Sequence, residues 1–305
     1  MQREEYIKLD ERILKFLPAR RKRSHKGTYG KILCVAGSRN MAGAAYLCAY
    51  AAYRCGAGLV RVLTPEENRV ILQSLLPEAV LTTFDTGGAA SGVQKLLEAL
   101  EWADAAAIGP GLGKEPWAAE FVEAALAKCH KPLVVDADGL NHLAGMKDRL
   151  GKHQGPVIVT PHAGEFARLT EQSVSDILKD VPEQAACFAK KNGCICVLKD
   201  APTAVADEKG GCWVNTTGNN GMSTGGSGDV LTGMIAGLLG QKLLPLQAAL
   251  LGVWLHGRAG DLAAAKEGVY GLMARHLIEY LPGAMSTENP KPCSGLETER
   301  QEEKG

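Results

Sequence analysis

Short apolar runs rich in β-branched residues alternate with amphipathic segments along most of the chain. Lys31–Ala36 (KILCVA) reads as a buried strand flanked by glycines, and Ala42–Cys55 as the helix that follows it. Leu59–Leu63 (LVRVL), Ala105–Ile108 (AAAI), Leu133–Asp136 (LVVD), Val157–Thr160 (VIVT) and Ile195–Lys199 (ICVLK) read as further strands. Helical spacing separates them, as in Trp117–Lys128 and Glu183–Asn192. Strands alternating with helices predict βαβ units and a mainly parallel sheet with helices on both faces. No internal repeat or linker interrupts the pattern, so it predicts one α/β domain. In such sheets ligands collect at the carboxyl ends of the strands. The polar residues fall there: Asp136 and Asp138 close one strand, His162 and Glu165 follow the next, and Lys199 ends another. That coincidence predicts one composite site.

Composition changes this picture in one respect. Of 305 residues 36 are glycine, above the ~7% norm, and they come in clusters without a collagen-like period. Clustered glycines suggest loops where backbone approaches a ligand closely. The 34 basic and 34 acidic residues balance, which argues against nucleic acid or an anionic membrane as the main partner. No run of about 18 apolar residues predicts a membrane-spanning helix. The charged N-terminus lacks the apolar stretch of a signal peptide. Nine cysteines, an odd number in a long chain, do not read as a disulfide framework. Cys194 and Cys196 fit two buried thiols on one strand face better than a metal pair, since no second Cys/His pair matches them. A reducing, cytoplasmic compartment is expected. Arg20–Arg23 is a dense basic run, a solvated lead-in or an anion or subunit contact. Residues 1–25 read as an N-terminal lead-in, 26–285 as the domain, and 286–305 as a disordered tail.

The strongest local signal is Thr217–Gly233, TGNNGMSTGGSGDVLTG. Beyond Gly228, Val230, Leu231, Met234, Ile235, Leu238 and Leu239 recur at helical spacing, and Gly240 can end the helix. Gly225, Gly226, Ser227 and Gly228 therefore lie at a helix N-terminus, where free amides and the helix dipole favour an anion. Asp229 falls in the first turn, either as a dipole-complementing carboxylate or as a general base beside a phosphate cradle. No Gly-Lys-Ser/Thr follows, so this is not a Walker A loop. Nor does it sit after an early strand with an acid about 20 positions on, as a dinucleotide fingerprint would.

GGSGD, with Asn219 and Gly221 ahead of it, resembles the anion-hole and base motif of ribokinase-fold kinases. More closely, the chain resembles the NAD(P)H-hydrate dehydratases of that superfamily. The motifs KGTYGKILCVAGS, GAAYLCAYAAYRCGAGLV, Pro77-Glu78, IGPGLG, VDADGLN, TPHAGEFARL, KDAPT, GNNGMSTGGSGD and LHGRAGDLAA occur in family order between Lys26 and about Pro282. Sugar kinases of the superfamily usually carry Gly-Ala-Gly-Asp and lack PHAGE. The resemblance implies an α/β ribokinase-like three-layer sandwich. It implies a hydro-lyase that removes water from the (6S) hydrate of NADH or NADPH at the expense of a nucleoside phosphate. Asp229 would be the base, and Gly225, Gly226, Ser227 and Gly228 the anion hole. Ala44, Gly111 and His162 would line the hydrate pocket with Asp229. Lys199, Asp200, Ala201, Pro202, Thr203 and Gly228 would contact the nucleotide. Glu165 stands where the superfamily has the acid of an Asn-x-x-Glu motif that organises Mg2+, with His162 in place of the Asn.

The glycine motif looks like the bacterial form of the family, which uses ADP where eukaryotic members use ATP. Family members commonly form homotetramers, and bifunctional ones carry an epimerase domain ahead of this one; 25 residues precede Lys26, too few for it. Blander readings stand beside these roles. Lys199 can be a surface lysine, His162 a structural residue, Asp136, Asp138 and Asn141 simple caps, and His256 a packed histidine. Two other functions fit the same motifs: a hydroxymethylpyrimidine or thiazole kinase, and a nucleotide-binding sensor without catalysis.

Overall fold

Alternation within the strands decides the architecture. In the computed structural model, which describes residues 6–87 and 89–286, ten strands form one sheet. In chain order they are β1 (Ile7–Lys8), β2 (Lys31–Val35), β3 (Leu59–Pro65), β4 (Val80–Phe84) and β5 (Ala105–Ile108). Then come β6 (Leu133–Val135), β7 (Val157–Val159), β8 (Ile195–Leu198), β9 (Thr203–Ala206) and β10 (Cys212–Asn215). Their spatial order is β1-β10-β9-β8-β7-β6-β5-β2-β3-β4. Among these strands β9 alone runs against the rest, pairing antiparallel with β8 and β10.

The helices are α1 (Ala42–Arg54), α2 (Arg69–Leu75), α3 (Ala89–Trp102), α4 (Pro116–Lys128), α5 (Asp138–Ala144) and α6 (Ala163–Thr170). They continue with α7 (Val174–Ile177), α8 (Val181–Asn192), α9 (Ser227–Gly240), α10 (Pro245–Glu267) and α11 (Ala274–Ala284). Along β2, Ile32 and Cys34 point to a core shared with α1, α2, α9, α10 and α11. Leu33 and Val35 point to the opposite core, closed by α3 to α8. Three layers result because the central parallel strands β2 and β5 to β8 are apolar on both faces.

Helix α9 lies over the middle of the sheet, against β5, β2 and β6. Glycines four apart let α1 come close: a Cβ on Gly233 would stand 2.8 Å from the Cys48 carbonyl carbon, and one on Gly237 2.7 Å from the Ala52 oxygen. Val230, Met234, Ile235 and Leu238 are wholly buried, each contributing about 1.5–3 kcal/mol by apolar area. The helix is thereby fixed as core, and its N-terminus is aimed at the carboxyl ends of the central strands.

Four strands go beyond the pattern in the sequence. β9 and β10 form a hairpin turned by Asp207, whose side chain accepts from Lys209 N and Gly211 N at 3.0 and 2.8 Å. β4 is an edge strand with Val80 exposed and Thr82 half-buried, and β1 has only two residues. Residues ahead of Lys26 join the fold: Ile7 and Lys8 pair with β10, and Leu9 and Ile13 enter the core. Cys194 and Cys196 are buried on one face as expected. Among the described residues no helix is long and apolar enough to cross a membrane. The expected tail lies, beyond Ser286, outside the described residues.

Candidate active site

The carboxyl ends of β6, β7 and β8 meet the N-terminus of α9, and four charged side chains crowd there. Asp136, the residue after β6, is buried at 1% exposure. Its Oδ1 accepts from Lys199 Nζ at 2.8 Å and its Oδ2 from Thr232 Oγ1 at 2.7 Å. Lys199 leaves the end of β8, where its amide donates to Pro161 O at 2.8 Å. Its ammonium also stands 3.9 Å from Glu165 Oε2. Burial pulls the Lys199 pKa down, but Asp136, Glu165 and Asp229 together outweigh it and hold it above its ordinary value.

Glu165 and His162 form a capping box at the start of α6. His162 N donates to Glu165 Oε2 at 2.9 Å, and Gly164 N donates to His162 Nδ1 at 3.0 Å. Accepting at Nδ1 makes His162 the Nε2–H tautomer, with that atom 3.4 Å from Glu165 Oε1. His162 is exposed while Glu165 is buried, and burial pushes the Glu165 pKa up.

Above this cluster lies the glycine loop. Gly226 caps α9 with a left-handed backbone, φ +90°, and a Cβ there would strike Leu47. Ser227 N turns back to Thr224 O at 3.3 Å, and Val230 N makes the first helical bond, to Gly226 O at 3.1 Å. Gly228 and Asp229 amides fall in the turn where a helix supplies no acceptor. A Cβ on Gly228 would stand 3.2 Å from Lys199 Nζ and 3.6 Å from Asp136 Oδ2. A Cβ on Gly225 would meet nothing within 4 Å, so this residue faces open space. Unbonded first-turn amides with one ammonium beneath them suit an anion.

Asp229 borders the same cluster. Burial first, then the negative charge of Asp136, pushes its pKa up to about 7, against the pull of Lys199. A carboxyl at that value is suited to taking a proton near neutral pH. His256, from α10, donates Nε2–H to Ser227 O at 3.0 Å, and burial lowers its pKa to about 4, so it is neutral.

Ala44 and Gly111 are brought together: a Cβ on Gly111 would be 2.7 Å from the Ala44 methyl. Asp200, Ala201, Pro202 and Thr203 form the β8–β9 turn, with a cis Ala201–Pro202 bond and Thr203 Oγ1 donating to Asp200 O at 3.0 Å. Asp138 accepts from Gly113 N at 2.8 Å, fixing the Gly-Pro-Gly loop rather than only capping a helix. Of two clefts, of about 500 and 400 Å3, one lies under α6 and α8 and the other is lined by Asp200, Ala201 and Pro202 of the β8–β9 turn; Asp229 lines neither.

Among the described residues no group of three or more His, Cys, Asp or Glu gathers to hold a metal. A Mg2+ that keeps waters and phosphate ligands asks for only one or two carboxylates. Glu165, whose Oε2 accepts from His162 N and whose Oε1 stands 3.4 Å from His162 Nε2, is the carboxylate of the PHAGE motif that would offer such a ligand.

Thr232 and the pairing of Asp136 with Lys199 escaped the sequence reading. The one available signal was a threonine inside the otherwise apolar VLTGMIAGLL.

A family model for NAD(P)H-hydrate dehydratase matches residues 32–283. The bifunctional NAD(P)H-hydrate repair enzyme Nnr of Moorella thermoacetica is 44% identical over 270 residues, covering 87% of this chain and 51% of that protein. The chain thus spans about half the length of such relatives. The ADP-dependent (S)-NAD(P)H-hydrate dehydratase of Bacillus subtilis is 38% identical, covering 90% of this chain and 95% of that one. A crystal structure of the ADP/ATP-dependent NAD(P)H-hydrate dehydratase from Bacillus subtilis, co-crystallized with ATP/Mg2+, superposes with a TM-score of 0.79 at 36% identity, covering 90% and 95% of the two chains.

Proposed function

The chain belongs to the NAD(P)H-hydrate dehydratase family and has its ribokinase-like α/β fold, and from that premise we propose that it dehydrates the (6S) hydrate of NADH or NADPH using ADP. The observation that carries the proposal is the placing of the Asp229 carboxylate and the Lys199 ammonium against the α9 N-terminal glycines, with burial and Asp136 pushing the Asp229 pKa up.

Hydroxide leaves a hydrated nicotinamide ring poorly, whereas phosphate leaves well. Ionised Asp229 takes the proton of the ring hydroxyl, whose oxygen then attacks the terminal phosphoryl group of ADP and releases AMP. The Gly225–Gly228 amides receive the charge on the transferring group. The C–O bond then breaks, phosphate departs with its electron pair, and the ring nitrogen lone pair fills the gap. Loss of a proton from the neighbouring ring carbon restores the dihydropyridine. Asp229 sets the rate-controlling protonation state, and the Asp136–Lys199 pair holds a cation under the cradle.

Ala44, Gly111 and His162 line the hydrate side, and Lys199 to Thr203 with Gly228 the nucleotide side. Mg2+ bound with the nucleotide would neutralise phosphate charge, and Glu165 is the group here that would hold it. ADP is favoured over ATP by the likeness to an ADP-dependent relative. A homotetramer in a reducing cytoplasm belongs to the same reading, consistent with buried free thiols such as Cys34, Cys48 and Cys196 and testable by light scattering.

The test is purified protein with NADH hydrate, Mg2+ and either ADP or ATP. Return of the near-ultraviolet absorbance of NADH with release of inorganic phosphate supports the proposal, and faster return with ADP supports the choice of nucleotide. Accumulation of a stable phosphorylated product would mark a kinase instead. No NADH with either nucleotide refutes the reading.

A further inference from the structure

The motif LHGRAGD in α10 has no direct part in the chemistry above, yet its side chains meet the glycine loop one after another. Residues 256, 257, 260 and 261 share one helix face, since neighbours three and four apart lie together. Along that face the helix presents two notches and two clamps. Gly257 is the first notch: a Cβ there would be 2.6 Å from Thr217 O. Gly260 is the second, where a Cβ would be 2.8 Å from Met222 Cγ. Thr217 is also bound end-on, its Oγ1 donating to Trp254 O at 3.1 Å.

The clamps are polar. Asp261 accepts from Gly218 N through Oδ2 at 2.9 Å and from Asn219 Nδ2 through Oδ1 at 3.0 Å. Asn219 in turn accepts from Gly221 N at 3.0 Å, so the carboxylate orients an asparagine that shapes the next turn. Gly218 sits at φ +105°, with Met222 Sδ 3.1 Å from where a Cβ would stand and its N–H bonded to Asp261. At the other end of the loop, His256 donates to Ser227 O at 3.0 Å, and its Nε2 stands 3.4 Å from Ser227 Oγ. The loop from Thr217 to Ser227 is thus tied to α10 at both ends and keyed into it between them.

We propose that Asp261 and His256 are positioning residues that act through this loop, setting the Gly225–Gly228 amides for the transferring phosphoryl group. The inference rests on the anion-hole reading of those amides. Amides aimed at a transition state lose effect steeply when displaced, on the order of 10²-fold for 1 Å. Loosening their support therefore lowers kcat more than it weakens ground-state binding of nucleotide.

The experiment compares wild type with Asp261→Ala, Asp261→Asn, His256→Leu and His256→Gln. Asp261→Asn keeps shape, but its amide N–H confronts Asn219 Nδ2–H, so one of the two bonds is lost. His256→Gln keeps a donor within reach of Ser227 O, and His256→Leu removes it. Turnover of NADH hydrate with ADP is expected to fall about 10- to 100-fold in kcat for Asp261→Ala and His256→Leu. KM for ADP is expected to move by less than about threefold, with Asp261→Asn intermediate and His256→Gln recovering most of the lost rate. Amide hydrogen exchange over residues 217–229 of the whole protein is read in parallel, without substrate. It is expected to quicken at least about tenfold in Asp261→Ala, a release from local protection, while α9 beyond residue 230 stays protected. Unchanged exchange in this loop overturns the proposal whether or not the wild type is active. So does a kcat within twofold of wild type for Asp261→Ala, or a His256→Gln no better than His256→Leu. A wild type that turns over no hydrate refutes the proposed function instead, and the exchange result still decides the clamp.

Discussion

Asp229→Asn removes a charge that the fold pays to keep. The carboxyl has an ordinary value of 3.8 and is pushed up to about 7 in the native protein, by burial first and by Asp136 second. At about 1.36 kcal/mol per tenfold change in proton affinity, that gap is worth about 4 kcal/mol. The sign follows from linkage. The native state holds its proton more tightly than the unfolded chain, so the stability from protonated Asp229 is full below pH 3.8 and is lost as pH rises through about 7. Asparagine cannot ionise. Relative to wild type it should gain about 2–4 kcal/mol at pH 8, the lower figure allowing for relaxation around the charge. The gain should shrink steadily toward pH 4.5. Urea unfolding of both proteins at several pH values measures it. In a chain of this size, Tm at pH 8 should rise by roughly 4–8 °C. An Asn variant that is equally or less stable at pH 8, or whose advantage does not depend on pH, would refute the claim that Asp229 is strained when ionised.

Three further outcomes follow from the same geometry. Wild-type kcat/KM should rise with pH and level off above about 7, as Asp229 ionises; a profile flat from pH 5.5 to 8.5 contradicts its role as base. Lys199→Met leaves Asp136 and Glu165 buried without their cation and should cost about 3–5 kcal/mol of stability. Adding Asp136→Asn should return part of that loss, and a purely additive double mutant in urea unfolding would argue against the pair. Gly226→Ala forces a Cβ into Leu47 at φ +90°; it should lower stability by about 1–3 kcal/mol and sharply reduce turnover, so a variant with normal rate would show the left-handed cap to be dispensable.

The α/β class and the parallel order were legible because β5, β6 and β7 are apolar throughout, β2 is so beyond Lys31, and each is followed by a helix. The same logic places Asp136, Glu165 and Lys199 at one edge from sequence alone, since residues just past parallel strands must share a side of the sheet. β9 and β10 were hidden because Thr203 reads as part of a turn motif, and the alanines of TAVA carry little strand signal. β1 is two residues long, too short for any periodicity. Partners across the sheet were not legible either. That Lys199 pairs with Asp136, 63 positions away, and that Thr232 bonds the same carboxylate from below, depends on how α9 docks on β5 and β6. Local sequence does not encode that. Likewise His256 reads as one more residue of an apolar helix, and only the docking of α10 against the glycine loop turns its ring toward Ser227.

The central claim is that the ring hydroxyl leaves as phosphate after attacking the nucleotide. Hydrate prepared with heavy oxygen in that hydroxyl, turned over with ADP, traces the atom directly by mass spectrometry of the products. The account predicts that the label appears in inorganic phosphate, one atom for each NADH formed, and that Asp229→Asn yields neither. Label recovered in water, with unlabelled phosphate, would contradict it.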